Sequence, residues 1–425
     1  MTFLDELAAR RRFGMKPGLG AIRRLAAALG DPHERLRGVI HLAGTNGKGA
    51  TAAILDACLR AAGRRVARYT SPHLVQLNER FFLDGAPLGD GPLERAAERV
   101  AAAARRDPAL NDLTFFEALT ATAFVAFADA EADCNVFETG LGGRLDATNI
   151  VRPRLTVITR LGLDHCDWLG DTIEQIAAEK AGIIKAGVPV VLGRNVDAVR
   201  RVVEARAREV GAPFHYAPDL ATAADVPRDF ALKGAFNREN AVTALAALKL
   251  LLDERELAAA RAGFAQVVWP GRFQTVGRYL IDGAHNPPAA RALADALAEA
   301  YGAGAKFRLI AGFCGDKDID ETLRILAPFV TDARAVPTSN PRALAPERLA
   351  AKMRAAGIDA VPCASLAAAL AGEDAAAAAG RPDTLICGSL FLAGDALVAL
   401  DAVPWSTARR DPSELLAAAP GRRAD

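Results

Sequence analysis

The chain has 425 residues, 51% hydrophobic and 24% charged, more than one hydrophobic core ordinarily serves, so two domains are expected. The 52 Lys and Arg against 51 Asp and Glu leave a net charge of +1, which gives no electrostatic basis for binding nucleic acid or an anionic membrane. No secretory signal opens the sequence, no apolar run reaches membrane-spanning length, and the six cysteines include no CxxC pair, so a cytoplasmic protein with reduced thiols is expected.

Arg10-Arg11-Arg12 reads as a solvated helix face. Val39, Ile40 and Leu42 then form a short apolar run that reads as a buried strand, followed at once by Gly44-Thr45-Asn46-Gly47-Lys48-Gly49 and a helical stretch over 50–62. A glycine turn between strand and helix gathers backbone N–H groups around an anion at the positive helix end, and Lys48 adds a point charge for outer phosphates. An ordinary glycine-rich βα turn is the bland alternative. Gly49 and Ala50 stand where a phosphate loop usually carries a magnesium-binding Ser or Thr, so metal ligands must come from elsewhere in the chain.

Residues 64–69, 134–138, 155–159 and 188–192 read as further strands of a parallel sheet, with a helix over 113–131 among the connections. Three of these strands end in polar groups: Thr70-Ser71-Pro72-His73, Glu138-Thr139-Gly140 and Leu163-Asp164-His165. The carboxyl ends of parallel strands form the ligand crevice of such sheets, and Ser71 and Glu138 offer hard oxygens suited to magnesium. A single His such as His165 is more often a hydrogen-bonded structural residue, but three polar strand ends on one side favour a shared site. Thr114 and Glu117 have capping-box spacing, and Phe115 and Phe116 either pack in the core or stack on a flat ligand. Thr172 and Gln175 start another helix, on which Ile173, Ile176, Lys180 and Ile184 share a face while Lys185 does not. A lysine on an apolar stripe snorkels, pairs or changes its charge state.

Residues 195–235 carry less of this pattern and are expected to run over the surface, before a helix resumes over 240–252. Beyond Trp269-Pro270-Gly271-Arg272 a second series of strands, at 279–282, 308–311, 333–336, 358–361 and 384–387, alternates with Ala-rich helices that include the tract 375–379. Asp282 through Pro287, Gly312 through Asp318 and Cys387-Gly388-Ser389 follow these strands, and the tail after residue 404 reads as loosely attached. The expected fold is α/β: a P-loop-type doubly wound parallel-sheet ATPase domain over 1–274, then a smaller Rossmann-like domain over 275–425, closing on an interdomain cleft.

These segments, in this order, together with Leu145-Asp146, Glu179-Lys180-Ala181-Gly182-Ile183 and Pro270-Gly271-Arg272, resemble the folylpolyglutamate synthase/dihydrofolate synthase family of the Mur ligase superfamily, in its bifunctional bacterial type. The resemblance implies an ATP-dependent ligase joining L-glutamate to 7,8-dihydropteroate and to reduced folates through an acyl phosphate. Gly44, Thr45, Asn46, Gly47, Lys48 and Gly49 would take the ATP phosphates, Asn240 and Arg272 the nucleotide, and Asp282 its ribose. Ser71, Glu138 and His165 would hold Mg²⁺, as two ions, and Lys180 matches a lysine that this group can carry as a carbamate. Lys48, Lys180 and His285 are the expected catalytic groups; Thr114, Phe116 and Asp146 would hold the pterin, and His285 and Ser389 the incoming glutamate. The expected partners are dihydropteroate or a reduced folate, L-glutamate and ATP, acting on a monomer with no nucleic acid and no membrane. One departure stands out: Ala235 through Asn240 lacks the His-Gln pair often found before that asparagine, which leaves adenine binding less defined than phosphate binding. Rivals are a chain with folylpolyglutamate synthase activity alone, a cell-wall Mur-type ligase, which expects a nucleotide-sugar domain that residues 1–37 leave little room for, a P-loop kinase or NTPase switch, which expects Ser or Thr after Lys48, and a non-catalytic nucleotide-binding module.

Overall fold

The computed structural model describes residues 18–315, 318–371 and 381–405. The expectations for Arg10-Arg11-Arg12, for Asp316 and Lys317, for the alanine tract 375–379 and for the tail beyond residue 405 lie outside these. The chain forms two compact units, one running through Phe230 and resuming over Glu239–Val267, the other made of Ala231–Arg238 and the described residues from Val268 onward.

In the first unit the apolar runs pair into an eight-stranded sheet. Its strands are β1 (Val39–Ala43), β2 (Val66–Tyr69), β3 (Phe81–Leu83), β4 (Ala86–Pro87), β5 (Cys134–Glu138), β6 (Leu155–Ile158), β7 (Val190–Leu192) and β8 (Phe214–Tyr216). They lie in the order β4-β3-β2-β5-β1-β6-β7-β8, parallel from β2 to β8, with β3 and β4 added antiparallel at one edge. β1, β2, β6 and β7 are buried along their whole length, which is why they read as near-continuous apolar runs. The short edge strands β3, β4 and β8 gave no such signal. Residues 195–235 do not simply run over the surface: they contain the Asp197–Glu209 helix and β8. Val199, Val203 and Ala207 of that helix are its buried residues, a stripe at four-residue spacing hidden among arginines and glutamates.

The helix over Phe115–Ala130 starts at the Thr114–Glu117 capping box and is buried from Glu117 to Ala128. Its Phe124 and Phe127 pack on Phe137 of β5 with ring centroids 5.4 and 5.7 Å apart, and Tyr69 of β2 meets Phe137 at 5.9 Å. On the Lys48–Ala61 helix Asp56 is buried, and it accepts from Arg60 Nε at 2.8 Å and faces Arg68 Nε of β2 at 3.4 Å. The Arg68 guanidinium also lies 4.0 Å from the centre of the Phe82 ring. Burial pulls the Arg68 pKa down and the Asp56 carboxylate opposes that shift.

The second unit holds a six-stranded sheet made of β9 (Gln274–Val276), β10 (Tyr279–Ile281), β11 (Phe307–Ala311), β12 (Val330–Ala335), β13 (Asp359–Pro362) and β14 (Thr384–Cys387). The order is β13-β12-β11-β14-β10-β9, parallel except for β9, which forms a hairpin with β10. Strands β10 to β14 match the second series read from the sequence, and Leu280, Phe307, Leu309 and Leu385 anchor the core. Among the described residues no helix is long and apolar enough to cross a membrane.

Asp56→Ala leaves the Arg68 charge buried without its carboxylate and should cost about 3–5 kcal/mol of stability. A urea unfolding midpoint equal to wild type would show that the pair carries no such weight.

Candidate active site

Strands β2, β5, β1 and β6 are consecutive and parallel, so their carboxyl ends share one edge of the first unit's sheet. Four polar segments, spread in sequence from Gly44 to His165, are thereby collected there. The glycine loop follows β1, Ser71 follows β2, Glu138 ends β5, and Thr159 to His165 follow β6.

The loop turns into its helix at Gly47, whose φ of 85° is a conformation that favours glycine, and a Cβ there would sit 2.2 Å from Asn240 Oδ1. Asn240 therefore lies directly against the loop. At Gly44 a Cβ would fall 1.9 Å from Thr159 Oγ1, which instead donates to the Asn46 carbonyl at 2.8 Å. The Thr45 and Asn46 amides both donate to the Arg160 carbonyl, and the Thr45 hydroxyl bridges to Gly162 through both its carbonyl (3.0 Å) and its amide (3.1 Å). The strand-end segment after β6 is thus bolted to the loop. Beyond the turn, the first amides of the Lys48–Ala61 helix have no acceptor within the helix, which suits them to an anion.

Lys48 Nζ donates to the carbonyls of Gly44 (3.0 Å) and Thr45 (3.3 Å) and lies 3.8 Å from Glu138 Oε1. The other oxygen of the buried Glu138 carboxylate accepts from the Ser71 amide at 3.1 Å. Ser71 precedes a cis peptide to Pro72 and begins a loop pinned by Glu79, whose carboxylate accepts from the amides of Leu74, Val75 and Gln76. Lys48, Ser71 and Glu138 are therefore in one cluster.

Lys180 joins it from the Ile173–Ala181 helix, which starts at the Thr172–Gln175 capping box. Its Nζ donates to the same Gly44 carbonyl at 2.9 Å, and the residue is buried. Loss of water, first, and repulsion from Lys48, second, bring its pKa down to about 7, against a smaller pull from Asp164 and Asp146. The helix ends at Ala181, so Ile184 and Lys185, expected on it, lie beyond its end, and Lys185 donates to Asn149. His165 lies at the other end of the clamped segment, with its side chain 42% exposed and Nε2 4.0 Å from Asp164 Oδ1. Its φ of 54° turns the chain into the short Cys166–Leu169 helix. Among the described residues no group of three His, Cys, Asp or Glu side chains is assembled as a metal cage.

The loop after β5 is organised by Asp146. Its buried carboxylate accepts from the amides of Gly140 and Leu141 (both 2.9 Å) and from the amide (3.0 Å) and hydroxyl (2.5 Å) of Thr148. Burial raises its pKa while these donors lower it. Thr148 in turn accepts from His41 at 2.8 Å, and burial holds His41 neutral with a pKa of about 3. Phe116 lies against this loop, since a Cβ at Gly140 would come 2.6 Å from its ring, whereas Thr114 spends its hydroxyl on Glu117. Gly143 and Gly182 let the loop close on the end of the Lys180 helix, where Arg144 pairs with Glu179 at 2.8 Å.

In the second unit, Asp282, His285 and Ser389 follow the adjacent strands β10 and β14, and the Gly388 amide ties the two loops by donating to the Ala284 carbonyl at 2.9 Å. The buried Asp282 carboxylate accepts from the amides of Phe273 and Ala284, each at 2.8 Å; burial raises its pKa and Arg272 opposes this. Arg272 packs on Gly283, His285 Nδ1 lies 2.8 Å from the Gly283 carbonyl, and Ser389 caps the Leu390–Ala399 helix through the Phe391 amide.

Sequence reasoning missed Thr159 and Arg160, which clamp the glycine loop, and gave Asp164 no role although it is one of the two carboxylates acting on Lys180. The available signal was their position at the carboxyl end of a parallel strand.

Residues 42–212 match the Mur ligase middle domain and residues 271–390 the Mur ligase glutamate ligase domain. The dihydrofolate synthase/folylpolyglutamate synthase of Bacillus subtilis is 35% identical over 352 residues, covering 75% of this chain and 80% of that protein. The structure of Escherichia coli FolC in complex with DHPP and ADP superposes with a TM-score of 0.81 at 32% identity, over 94% of this chain and 96% of its own. A bifunctional folylpolyglutamate synthase/dihydrofolate synthase with Mn, AMPPNP and L-glutamate bound superposes with a TM-score of 0.79 at 32% identity, over 94% of this chain and 98% of its own. The chain belongs to the dihydrofolate synthase/folylpolyglutamate synthase family of Mur ligases, the ATP-dependent ligases that add glutamate to folates.

Proposed function

We propose that this chain joins L-glutamate to 7,8-dihydropteroate and to reduced folates, acting as a monomer in the cytoplasm. The observation that carries the reading is the convergence of Lys48 and Lys180 on the Gly44 carbonyl, with Glu138 3.8 Å from Lys48. That arrangement suits a triphosphate laid over the glycine loop. The first-turn amides and Lys48 hold the γ-phosphate against the acceptor carboxylate. A carboxylate oxygen attacks phosphorus, the bond to the ADP oxygen breaks, and an acyl phosphate forms. The glutamate amine then attacks the acyl carbon, phosphate leaves, and the amine gives up its proton.

By residue type Ser71 and Glu138 bring oxygen and His165 nitrogen suited to a divalent cation, Ser71 being tied to Glu138 through its amide, and we assign them two Mg²⁺ ions. Bound to these residues, Mg²⁺ would supply charge neutralisation to the phosphates. Asn240 and Arg272 are assigned to the nucleotide and Asp282 to its ribose, although each Asp282 oxygen already accepts a backbone amide. His285 and Ser389 are assigned to the incoming glutamate, and Thr114, Phe116 and the Asp146 loop to the pterin. The functional division is placed near residue 274, with ATP handling over 1–274 apart from Asp282, and glutamate handling over 275–425.

Lys180 is read as a carbamate. With a pKa of about 7, much of it is the free amine near neutrality, the form that adds CO₂ with loss of one proton. The product is an anion beside Lys48 rather than a second cation.

ADP release that requires both L-glutamate and either dihydropteroate or tetrahydrofolate is the direct test, and ATP turnover indifferent to both would reject the ligase reading. Glu138→Ala should lower Mg²⁺-dependent turnover on the order of 100-fold; wild-type kinetics would reject the metal assignment. Lys180→Ala should lose turnover and recover part of it with a small added carboxylate, and an undiminished rate would end the carbamate reading. In CO₂-free buffer the folded Lys180 value of about 7 lies below the ordinary 10.5, so unfolding takes up a proton between those pH values. Wild type should therefore gain stability relative to Lys180→Met as pH rises from 7 to 10.5, and a pH-independent difference in melting temperature would contradict the shift.

A further inference from the structure

Two of the large hydrophobic side chains left exposed among the described residues flank His165: Leu163 is 51% and Trp168 48% accessible. Exposed apolar groups gathered on one loop mark a contact surface more often than isolated ones do. This loop is fixed at both ends. Thr45 and Asn46 bolt its start to the glycine loop, and the Trp168 amide donates to the His165 carbonyl at 3.0 Å. Leu169, next to Trp168, is buried against the loop after β5, where a Cβ on Gly142 would already come within 3.0 Å of it. The Leu163–Trp168 stretch therefore spans from the phosphate loop to the loop that Asp146 organises, and Trp168 stays half exposed.

We propose that Trp168, with Leu163 on the same loop, is an aromatic platform for the benzoyl ring of a dihydropteroate acceptor. This rests on the glutamate-ligase reading. The chemistry of the two acceptors gives the reason. In dihydropteroate the carboxylate to be activated is bonded directly to the benzene ring, so bringing it to the γ-phosphate, within about 3–3.5 Å, brings the ring to the rim of the crevice. In a folate the reacting γ-carboxylate is separated from that ring by an amide and a glutamyl side chain, and the ring lies farther out. A flat apolar side chain beside His165 thus favours the first acceptor over the second. An indole packs offset or edge-to-face against the aminobenzoyl ring, and water is displaced from both.

The test compares wild type with Trp168→Ala and Trp168→Phe, measuring kcat/KM for dihydropteroate and for tetrahydrofolate by ADP release. The ratio of the first to the second should fall about fivefold in Trp168→Ala and return in Trp168→Phe. A ratio that stays at the wild-type value, or an equal loss for both acceptors, overturns the platform. With ADP and Mg²⁺ present, dihydropteroate should quench tryptophan emission more in wild type than in Trp168→Phe, which keeps Trp269 and Trp405; equal quenching overturns it as well. Wild-type turnover with tetrahydrofolate but none with dihydropteroate rejects this proposal and leaves the ligase reading standing. No ADP with either acceptor rejects the ligase reading and the platform with it.

Discussion

A single backbone oxygen sets the chemistry of this site. Gly44 O accepts from Lys48 at 3.0 Å and from Lys180 at 2.9 Å, so two amines 132 positions apart in sequence are forced together out of water. Burial first and the neighbouring Lys48 charge second make Lys180 yield its proton more easily than an ordinary lysine. The segments packed against the glycine loop hold that arrangement. The glycine at 44 lets Thr159 approach, the clamp on Arg160 and Gly162 fixes the turn, and the capping box at Thr172 sets the phase of the helix that carries Lys180.

The loop after β5 solves a related problem by different means. Its backbone closes on the end of the Lys180 helix without regular secondary structure, which leaves amides to satisfy. Asp146 takes two of them at Gly140 and Leu141 and a third at Thr148, and His41 below steadies Thr148. The carboxylate is thus fully occupied inside its own loop, and what it offers a ligand is a stiff surface carrying Phe116 on one side and Leu169 on the other.

Much of this was legible in the sequence because parallel buried strands leave long apolar runs and force their polar residues to the ends. The strand ends carrying the glycine loop, Ser71, Glu138 and His165 were read that way, and Lys180 by its phase with Ile176, whereas Ile184, expected on the same face, lies beyond the helix end at Ala181. The sequence could not say which fate befell that lysine, since the answer lies in a carbonyl 136 residues away. The Thr159 and Arg160 clamp was hidden for the same reason: neither residue type is unusual, and only the pairing of β1 with β6 brings them to the loop. The Asp197–Glu209 helix was obscured by charge, its three small apolar contacts being outnumbered by solvated arginines and glutamates.

The clamp has a consequence for how a nucleotide is gripped. With the Thr45 and Asn46 amides already spent on the Arg160 carbonyl, an incoming anion meets fewer backbone donors and relies more on lysine charge and the helix terminus. Attraction of that kind is screened by dissolved ions over a Debye length of about 8 Å at physiological ionic strength, so occupancy of this loop should be governed by salt more than by temperature.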